Sequence, residues 1–476
     1  MEEGLTYNDV LIKPNFSEIL SRKNVSITTQ LTKKIKLLLP IISSNMDTIT
    51  ESEMAIEMAK SGGLGIIHRY CSIQQQVEMV KKVKRYTNFI INNPHTIDIE
   101  QTIDEMKVKL QKNQVGSILI TKNNKLEGIV TNRDLLLLEI EKKTLINDIM
   151  TPIEKMIYIK HFESSNIELI KNKLINNRIE QIPILDSENC IKGLITLKDM
   201  ILRKNNNYNL NSKMQLIVGA AVGVKGDYLE RTAKLLEAGC DIICIDVAHG
   251  HHILCGNAIK EIKTQFPEVE IIAGNVCTAE GVRYLKEMGA DCVKVGVGPG
   301  SICITRKQTG CGFPQLSAVM ECGNEAQKMG ISIIADGGHS GTIGNIFKAL
   351  VAGSSASMLG GMISGTKETP GNVFVKGGKQ VKMIRGMAGR ISNLKKSDKN
   401  GEKLDLENMT PEGVEGYVEY KGPVSKILGQ ISGGIRSGFS YVGCNDISEI
   451  RKKDIQFVKI SNNSYIESGS HGINEI

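Results

Sequence analysis

The sequence has 476 residues, of which 41% are hydrophobic and 23% charged, as in a globular protein of two or three domains. The net charge of +7 is mild, so short basic runs such as 33–36 and 81–85 predict solvated surfaces and argue against a nucleic-acid partner. No signal peptide or bilayer-spanning apolar run is visible, and the 11 cysteines form no paired CxxC motifs. We therefore expect a cytoplasmic protein with reduced thiols and no membrane partner.

The first 89 residues predict two strand–helix units behind an N-terminal arm. Leu37–Asp47 is an apolar run that ends in polar residues, and Leu64–His68 is a second, shorter run. Each is followed by a stretch with apolar residues at helical spacing, Glu51–Ser61 and Ile73–Arg85, and the first of these stops at Gly62. The order strand, helix, strand, helix predicts the beginning of a parallel α/β fold.

Residues 90–207 interrupt this order with an internal repeat. Gly128–Asp134 recurs as Gly193–Asp199, and each copy follows an apolar strand and a polar turn. The pair of copies resembles a tandem CBS (Bateman) module, a family that often binds adenine or guanine nucleotides. That resemblance makes Asp134 and Asp199 candidate contacts for the ribose of a nucleotide. Either aspartate could equally be a helix cap without a ligand, since a carboxylate suits a helix N-terminus.

After a polar linker the alternation of strands and helices resumes and holds to about residue 360. The predicted strands are Leu216–Val222, Ile242–Val247, Glu270–Asn275, Cys292–Val297, Ser332–Asp336 and Ala356–Gly360, with helices such as Tyr228–Ala238, Ala279–Met288 and Ile343–Val351 between them. Together with the two earlier strands they favour a (β/α)8 TIM barrel, although a doubly wound open sheet also alternates. The predicted domains are the first part of the barrel (1–89), the inserted module (90–207, with halves 90–150 and 151–207) and the second part of the barrel (208–476).

Polar residues and glycines follow most of the predicted barrel strands. They are Asn45, Asp47, His68, Asp246, Asn275, Asp336, Gly337, Gly338, Gly360 and Gly361. In a (β/α)8 barrel, ligands bind at the carboxyl ends of the strands, so these residues predict the location of the site.

The loop Val295–Gln315 is the most informative stretch of the chain. It is rich in glycine and proline, which break helices and let backbone groups approach a phosphate or a cation. The loop carries Cys303 with Arg306 three residues later, and a nearby positive charge favours a reactive thiolate. The alternative is that Cys303 only fills space.

Within this loop, Gly298–Arg306 (Gly-Pro-Gly-Ser-Ile-Cys-Ile-Thr-Arg) resembles the active-site loop of the IMP dehydrogenase/GMP reductase family. The resemblance covers nearly the whole chain and implies the barrel rather than the open sheet. It also implies that Cys303 attacks C2 of a purine nucleotide, GMP or IMP, while a hydride moves between C2 and a nicotinamide.

The resemblance further assigns residues to each ligand. For the nucleotide they are Ser301, Gly338, Gly360 and Gly361 at the phosphate, Asp336 at the ribose, and Gly386, Met387 and Ala388 at the base, with Gly337 as a further substrate contact. For the cofactor they are Asn45, Asp246, Val247, Ala248, Asn275 and Gly296, with Ser21 and Arg22 as a further contact. For potassium they are Gly298, Gly300 and Cys303, completed by Glu467, Ser468 and Gly469 from a neighbouring subunit, which implies a homotetramer. For Asp246 and Asn275 the alternative role is loop capping.

The two branches of the family differ in a mobile flap, here residues 385–422. Dehydrogenases carry an Arg-Tyr pair there that activates water, whereas 389–411 contains Arg390 and no tyrosine. Thr305 and Glu412 resemble the pair that passes a proton to the departing ammonia in GMP reductases, unless they form only a turn cap and a surface ion pair. We therefore predict NADPH-dependent reduction of GMP, with NAD-dependent oxidation of IMP as the alternative. The CBS-like module and the C-terminal strap favour that alternative, and a non-catalytic nucleotide sensor is a third possibility.

Overall fold

The computed structural model describes residues 3–86, 90–91, 94–113, 115–135, 145–160, 167–197, 208–389 and 410–470. The chain divides into two compact units. The first consists of Met1–Tyr86, Asn207–Asn211 and Gln215–Ile476, and the second consists of Thr87–Asn206 and Ser212–Met214.

Eight parallel strands close into a barrel in the first unit. Numbered in chain order, they are β1 (Ile41–Ser43), β2 (Leu64–Ile67), β3 (Gly219–Val222), β4 (Ile242–Asp246), β5 (Glu270–Val276), β6 (Cys292–Val295), β7 (Ser332–Asp336) and β8 (Ala356–Leu359). Each strand pairs with the next along the chain, and β8 pairs with β1 to close the ring. The predicted (β/α)8 barrel is confirmed, and the open sheet is excluded.

The first barrel strand is much shorter than the apolar run Leu37–Asp47 that predicted it. The beginning of that run forms the strand Lys36–Leu37, which pairs with Thr29–Gln30 in a separate antiparallel hairpin. Pro40 lies between this hairpin and β1, and proline has no backbone N–H to donate to a ladder. Residues of this one apolar run therefore belong to two different sheets.

Helices surround the barrel and connect its strands. The longer ones are Ser52–Lys60, Ile73–Tyr86, Tyr228–Glu237, Ile253–Gln265, Ala279–Met288, Gln315–Met329, Ile343–Val351 and Val424–Val442. The shorter ones are Tyr7–Asp9, Arg22–Asn24, Thr305–Thr309, Ile447–Ile450 and Asn462–Glu467. Among the described residues, no helix is both long and apolar enough to span a bilayer.

The barrel has an apolar interior and a polar mouth. Inward-facing residues near the middle of the strands, such as Ile42, Cys244 and Ile334, are fully buried in one hydrophobic cluster. Two residues beyond Cys244 and Ile334, Asp246 ends β4 and Asp336 ends β7. Because all eight strands are parallel, these polar ends lie at the same face of the barrel.

A three-stranded antiparallel sheet stands outside the barrel and forms the base of the predicted flap. Its strands are Phe374–Lys376, Lys379–Arg385 and Glu415–Glu419. The predicted flap residues 390–409, including Arg390, lie outside the described residues. A further pair of antiparallel strands joins Val10–Ile12 to Phe457–Lys459.

The second unit contains two similar hairpins. Ser117–Lys122 pairs with Lys125–Thr131, and Gln181–Leu185 pairs with Ile191–Thr196. The first glycine of each sequence repeat takes an equivalent place, because Gly128 lies opposite Ile120 and Gly193 lies opposite Ile184. The remaining elements are the strands Ile90–Ile91, Thr96–Asp98 and Thr151–Pro152, and the helices Ile103–Asn113, Ile146–Ile149, Ile153–Lys155 and Ile167–Asn176. The domain limits and the CBS-like identity of this unit stay predictions.

Candidate active site

The cysteine loop follows β6 and is held by one arginine. Arg306 donates from Nε to the carbonyl oxygen of Val297 at 3.0 Å, and its guanidinium also donates to the carbonyl oxygen of Phe313. A Cβ on Gly298 or on Gly312 would lie 2.6 Å from Cγ of Arg306, so both glycines make room for this side chain. Arg306 thus fastens both ends of the loop that presents Cys303.

A continuous chain of polar atoms runs from the cysteine to a glutamate. Sγ of Cys303 lies 3.1 Å from Oγ1 of Thr305, and that hydroxyl donates to Oε2 of Glu412 at 2.7 Å. The backbone keeps the two segments in register, because Ile304 N–H donates to the Glu412 carbonyl at 2.8 Å. The three predicted catalytic side chains are therefore in contact, in the order that a proton relay requires.

The predicted base-binding segment 386–388 packs against the segment that carries Glu412. Glu412 N–H donates to the Ala388 carbonyl at 3.0 Å, and the Tyr70 hydroxyl donates to the Met387 carbonyl at 3.1 Å. Burial raises the pKa of Tyr70, which keeps this hydroxyl a donor. Asp47 anchors the start of the segment, since Nε–H of Arg385 is shared between its carboxylate oxygens, at 3.0 Å from Oδ1 and 2.9 Å from Oδ2.

Charged groups form the floor of the site. Nζ of Lys294 lies 2.9 Å from Oδ1 of Asp246 and 3.0 Å from Oδ2 of Asp336. Burial alone would raise the pKa of Asp246, but Lys294, Arg69 and Asn45 together outweigh burial and the pKa is lowered. Burial alone would lower the pKa of Lys294, but Asp246 and Asp336 outweigh it and the pKa is raised. This floor therefore carries one cation and two anions.

These residues enclose one cavity of about 280 Å³ at the mouth of the barrel. Its lining contains the predicted residues Asn45, Asp246, Val247, Ala248, Asn275, Gly296, Gly298, Gly300, Cys303, Thr305, Asp336, Gly386, Met387, Ala388 and Glu412. Asn275 donates from Nδ2 to Oδ2 of Asp336 at 2.9 Å, whereas its buried Oδ1 has no hydrogen-bond partner in the described part of the chain. A buried acceptor of this kind is suited to a donor on a bound ligand.

The four predicted phosphate residues and the further substrate contact Gly337 lie beside this cavity rather than in its lining. The phosphate residues are Ser301, Gly338, Gly360 and Gly361. A Cβ on Gly361 would lie 2.7 Å from Oγ of Ser301, and one on Gly337 would lie 3.4 Å from the backbone N of Gly300. Gly337 and Gly338 have φ of +85° and +80°, which glycine adopts without strain. The result is a cradle that side chains would fill.

Other predicted residues are not brought to the cavity. Ser21 caps the helix Arg22–Asn24, and Glu467, Ser468 and Gly469 lie at the end of the helix Asn462–Glu467. None of these four residues, nor Arg22, lines the cavity of its own chain. In the second unit, Oδ2 of Asp134 accepts from the N–H and the hydroxyl of Thr131 at 2.8 Å each, which is a helix-cap contact. Asp199 lies outside the described residues. Within the described part of the chain, no cluster of three or more His, Cys, Asp or Glu residues could hold a metal ion.

The sequence interpretation missed three contributors to the site: Lys294, Tyr70 and Arg69, which all line the cavity. A lysine inside the apolar run of β6 was a usable signal, because a charged residue in a buried strand needs a partner. The contacts of Tyr70 and Arg69 depend on segments far away in the chain, and no local pattern indicates them.

Comparisons with known proteins agree with this geometry. A profile for the IMP dehydrogenase / GMP reductase domain matches residues 4–471. An inosine-5'-monophosphate dehydrogenase from Nitrosopumilus maritimus is 44% identical over 480 residues, which cover 99% of both chains. A GMP reductase from Leishmania major is 42% identical over 489 residues, which cover 100% of this chain and 98% of the other. A crystal structure of a GMP reductase variant from Trypanosoma brucei, in complex with guanosine 5'-monophosphate, matches with a TM-score of 0.87 and 44% identity over 100% of this chain and 99% of that chain. The chain therefore belongs to the IMP dehydrogenase/GMP reductase family of oxidoreductases.

Proposed function

We propose that this enzyme is a GMP reductase, which converts GMP, NADPH and two protons to IMP, NADP⁺ and ammonium. The observation that carries the proposal is the contact chain Cys303–Thr305–Glu412, with distances of 3.1 and 2.7 Å. A hydroxyl between a thiol and a carboxylate can pass a proton in either direction, so one chain of atoms serves both nucleophile and leaving group.

In the proposed reaction, the Cys303 thiol gives its proton through Thr305 to Glu412, and the resulting thiolate attacks C2 of the guanine base. The C2–S bond forms, the bond from C2 to the exocyclic nitrogen breaks, and the same proton returns through Thr305 to the departing amine, which leaves as ammonia. The reduced nicotinamide would supply the hydride for C2. The C–S bond then breaks and releases IMP, and of the two protons consumed overall, one restores the thiol and one converts ammonia to ammonium.

The residues at the mouth suit a purine nucleotide. Asp336 offers carboxylate oxygens for ribose hydroxyls, and Ser301 and Gly361 are the small residues, set close together, that a phosphate site requires. The relative from Trypanosoma brucei, at 44% identity, was solved with guanosine 5'-monophosphate. We propose the corresponding position in this chain for GMP.

The cofactor side of the cavity also fits its ligand. The unpartnered Oδ1 of Asn275 is an acceptor that the carboxamide of a nicotinamide could satisfy, and Asp246 lies nearby on the neighbouring strand. We propose that these residues, with Asn45, Val247 and Ala248, orient the nicotinamide ring. The choice of NADPH over NADH rests on the GMP reductase assignment.

Three further features belong to the same proposal: a homotetramer, a potassium ion at the cysteine loop, and a purine nucleotide in the second unit. Ser21, Arg22 and the strap residues Glu467–Gly469 do not line the cavity of their own chain, as expected if they act in a neighbouring subunit. The duplicated hairpins of the second unit suit a paired nucleotide-binding module.

The second candidate is an IMP dehydrogenase, which converts IMP, NAD⁺ and water to XMP, NADH and a proton. The relative from Nitrosopumilus maritimus, which carries that name, is 44% identical and favours this candidate. The absence of a tyrosine from the sequence between Gly389 and Pro411 argues against it, because dehydrogenases of the family use an Arg-Tyr pair there.

The test compares two reactions by the absorbance of the reduced nicotinamide. We expect the purified protein to oxidise NADPH in the presence of GMP much faster than it reduces NAD in the presence of IMP. Omission of GMP is the control for background oxidation. Rapid, sustained formation of XMP from IMP would reject the reductase assignment and support the dehydrogenase.

A further inference from the structure

One buried lysine joins three strands at the floor of the site. The Lys294 side chain on β6 is only 3% exposed, and its ammonium bonds Asp246 on β4 and Asp336 on β7. Strand register places Asp246, Gly274 and Lys294 side by side in one row across β4, β5 and β6. A Cβ on Gly274 would lie 2.6 Å from Cβ of Lys294, so this glycine clears the path by which the lysine reaches across β5 to Asp246.

The two carboxylates face different surroundings but share this one ammonium. The groups that interact with Asp246 electrostatically or by hydrogen bonds are Lys294, Arg69, Asn45, Tyr70, Cys244 and Cys255. Those that interact with Asp336 in the same ways are Lys294, Asn275, Cys244 and His339. Among the residues that the structure describes, Lys294 alone forms an ion pair with both. The ammonium is therefore the electrostatic link between them.

The bridge also decides which oxygen of Asp336 remains for a ligand. Lys294 and Asn275 both donate to Oδ2 of Asp336, at 3.0 and 2.9 Å. Among the described residues, no side chain or backbone group donates to Oδ1. Two donors on one oxygen orient the carboxylate and leave the other oxygen as the acceptor for ligand hydroxyls.

We propose that Lys294 is a positioning residue that couples the nucleotide half-site at Asp336 to the cofactor half-site at Asp246. The proposal rests on the proposed function for the identity of the two ligands. A ligand that shifts either carboxylate changes how the ammonium is shared, so binding at one half-site alters affinity at the other. Lys294 itself transfers no atom in the reaction.

Replacement of the lysine by methionine tests this link. Lys294→Met keeps most of the side-chain volume but leaves two carboxylates in a buried site without their shared cation. Burial and mutual repulsion then favour uptake of a proton by the pair, and a protonated carboxyl is a poorer acceptor for ribose hydroxyls. GMP affinity should therefore fall, and it should fall further as the pH is lowered.

The measurement is the Kd for GMP by titration calorimetry without cofactor, at about pH 8 and about pH 6. We expect Lys294→Met to weaken binding about tenfold at the higher pH and about 100-fold at the lower pH, while the wild type changes less than about threefold. The matched control is Lys84→Met. Lys84 is buried to a similar degree, at 4% exposure, and bonds Asp241 and the carbonyl of Leu216 without lining the cavity. Lys84→Met should lower stability without a pH-dependent change in Kd.

The outcomes separate the two proposals. If the wild type binds GMP and Lys294→Met binds it equally well at both pH values, the coupling role is refuted and the proposed function stands. A wild type that binds neither GMP nor IMP overturns the proposed function. Should Lys294→Met fail to fold, Asp246→Asn tests the same link. It should change the Kd for GMP by at least about threefold although Asp246 is assigned to the cofactor, and an unchanged Kd would overturn the coupling.

Discussion

Substitution of Glu412 by glutamine should remove the proposed proton-transfer group and change little else. Glutamine has nearly the same shape, and its side-chain oxygen can still accept the hydrogen bond that Thr305 donates at 2.7 Å. The main chain at this position is held independently, because Ile304 N–H donates to the Glu412 carbonyl and Glu412 N–H donates to the Ala388 carbonyl. The amide cannot deliver a proton, so the relay to Cys303 is broken while its geometry is kept.

The expected magnitude follows from the role of the relay. A positioned general acid contributes about 10²–10⁴-fold to a rate, or about 3–5 kcal/mol of barrier. Glu412→Gln should therefore lower kcat for GMP and NADPH at least about 100-fold, while the Kd for GMP should change less than about fivefold. Loss in kcat without a comparable loss in binding identifies an interaction needed in the transition state.

The assay is ammonia release in the presence of GMP and NADPH, measured beside the calorimetric Kd for GMP. Glu419→Gln is the control, because Glu419 lies in the strand Glu415–Glu419 and forms an exposed ion pair with Lys379. Exposed pairs contribute little, so this variant should retain activity. Ammonia release by Glu412→Gln at more than a tenth of the wild-type rate would refute the relay.

Three other results are expected. Cys303→Ala should abolish turnover yet bind GMP within about threefold of wild type, because phosphate and ribose contacts lie elsewhere; residual turnover above a few per cent would contradict covalent catalysis. Deletion of residues 90–207 should leave a folded, active barrel that has lost only its response to purine nucleotides, and a soluble but inactive product would show that the insert is part of catalysis. Burial lowers the pKa of His339 to about 4 from 6.5, against a smaller opposing effect of Asp336, so the folded protein binds fewer protons than the unfolded chain between these values. The free energy of unfolding should therefore decline by up to about 3 kcal/mol as the pH falls from about 6.5 to about 4. Denaturant unfolding of His339→Gln should not show this decline.

The barrel could be predicted from local patterns, whereas parts of the site could not. Apolar strands such as β4 and β7 alternate with helices that have clear ends, and the observed helix Ala279–Met288 has a Thr278 cap and a left-handed Gly289, both readable in the sequence. Boundaries were less accurate where one apolar run serves two sheets, as at Leu37–Asp47. Hydrophobicity alone does not distinguish these two uses.

Contacts between distant segments were the least predictable part of the site. Thr305 and Glu412, 107 positions apart, were linked only through a family resemblance, although the structure brings them to 2.7 Å. Lys294 was overlooked because its importance depends on its three-dimensional neighbours. Its reach requires Gly274 on one strand and carboxylates on two others, and no spacing along the chain encodes that arrangement.

The most direct test of the central claim is the product balance of the wild-type enzyme with GMP and NADPH. The contact chain from Cys303 to Glu412 predicts that IMP, ammonia and oxidised cofactor appear in equal amounts, with no net reaction when GMP is withheld. Consumption of IMP and NAD with accumulation of XMP and NADH, and no ammonia from GMP, would contradict the account.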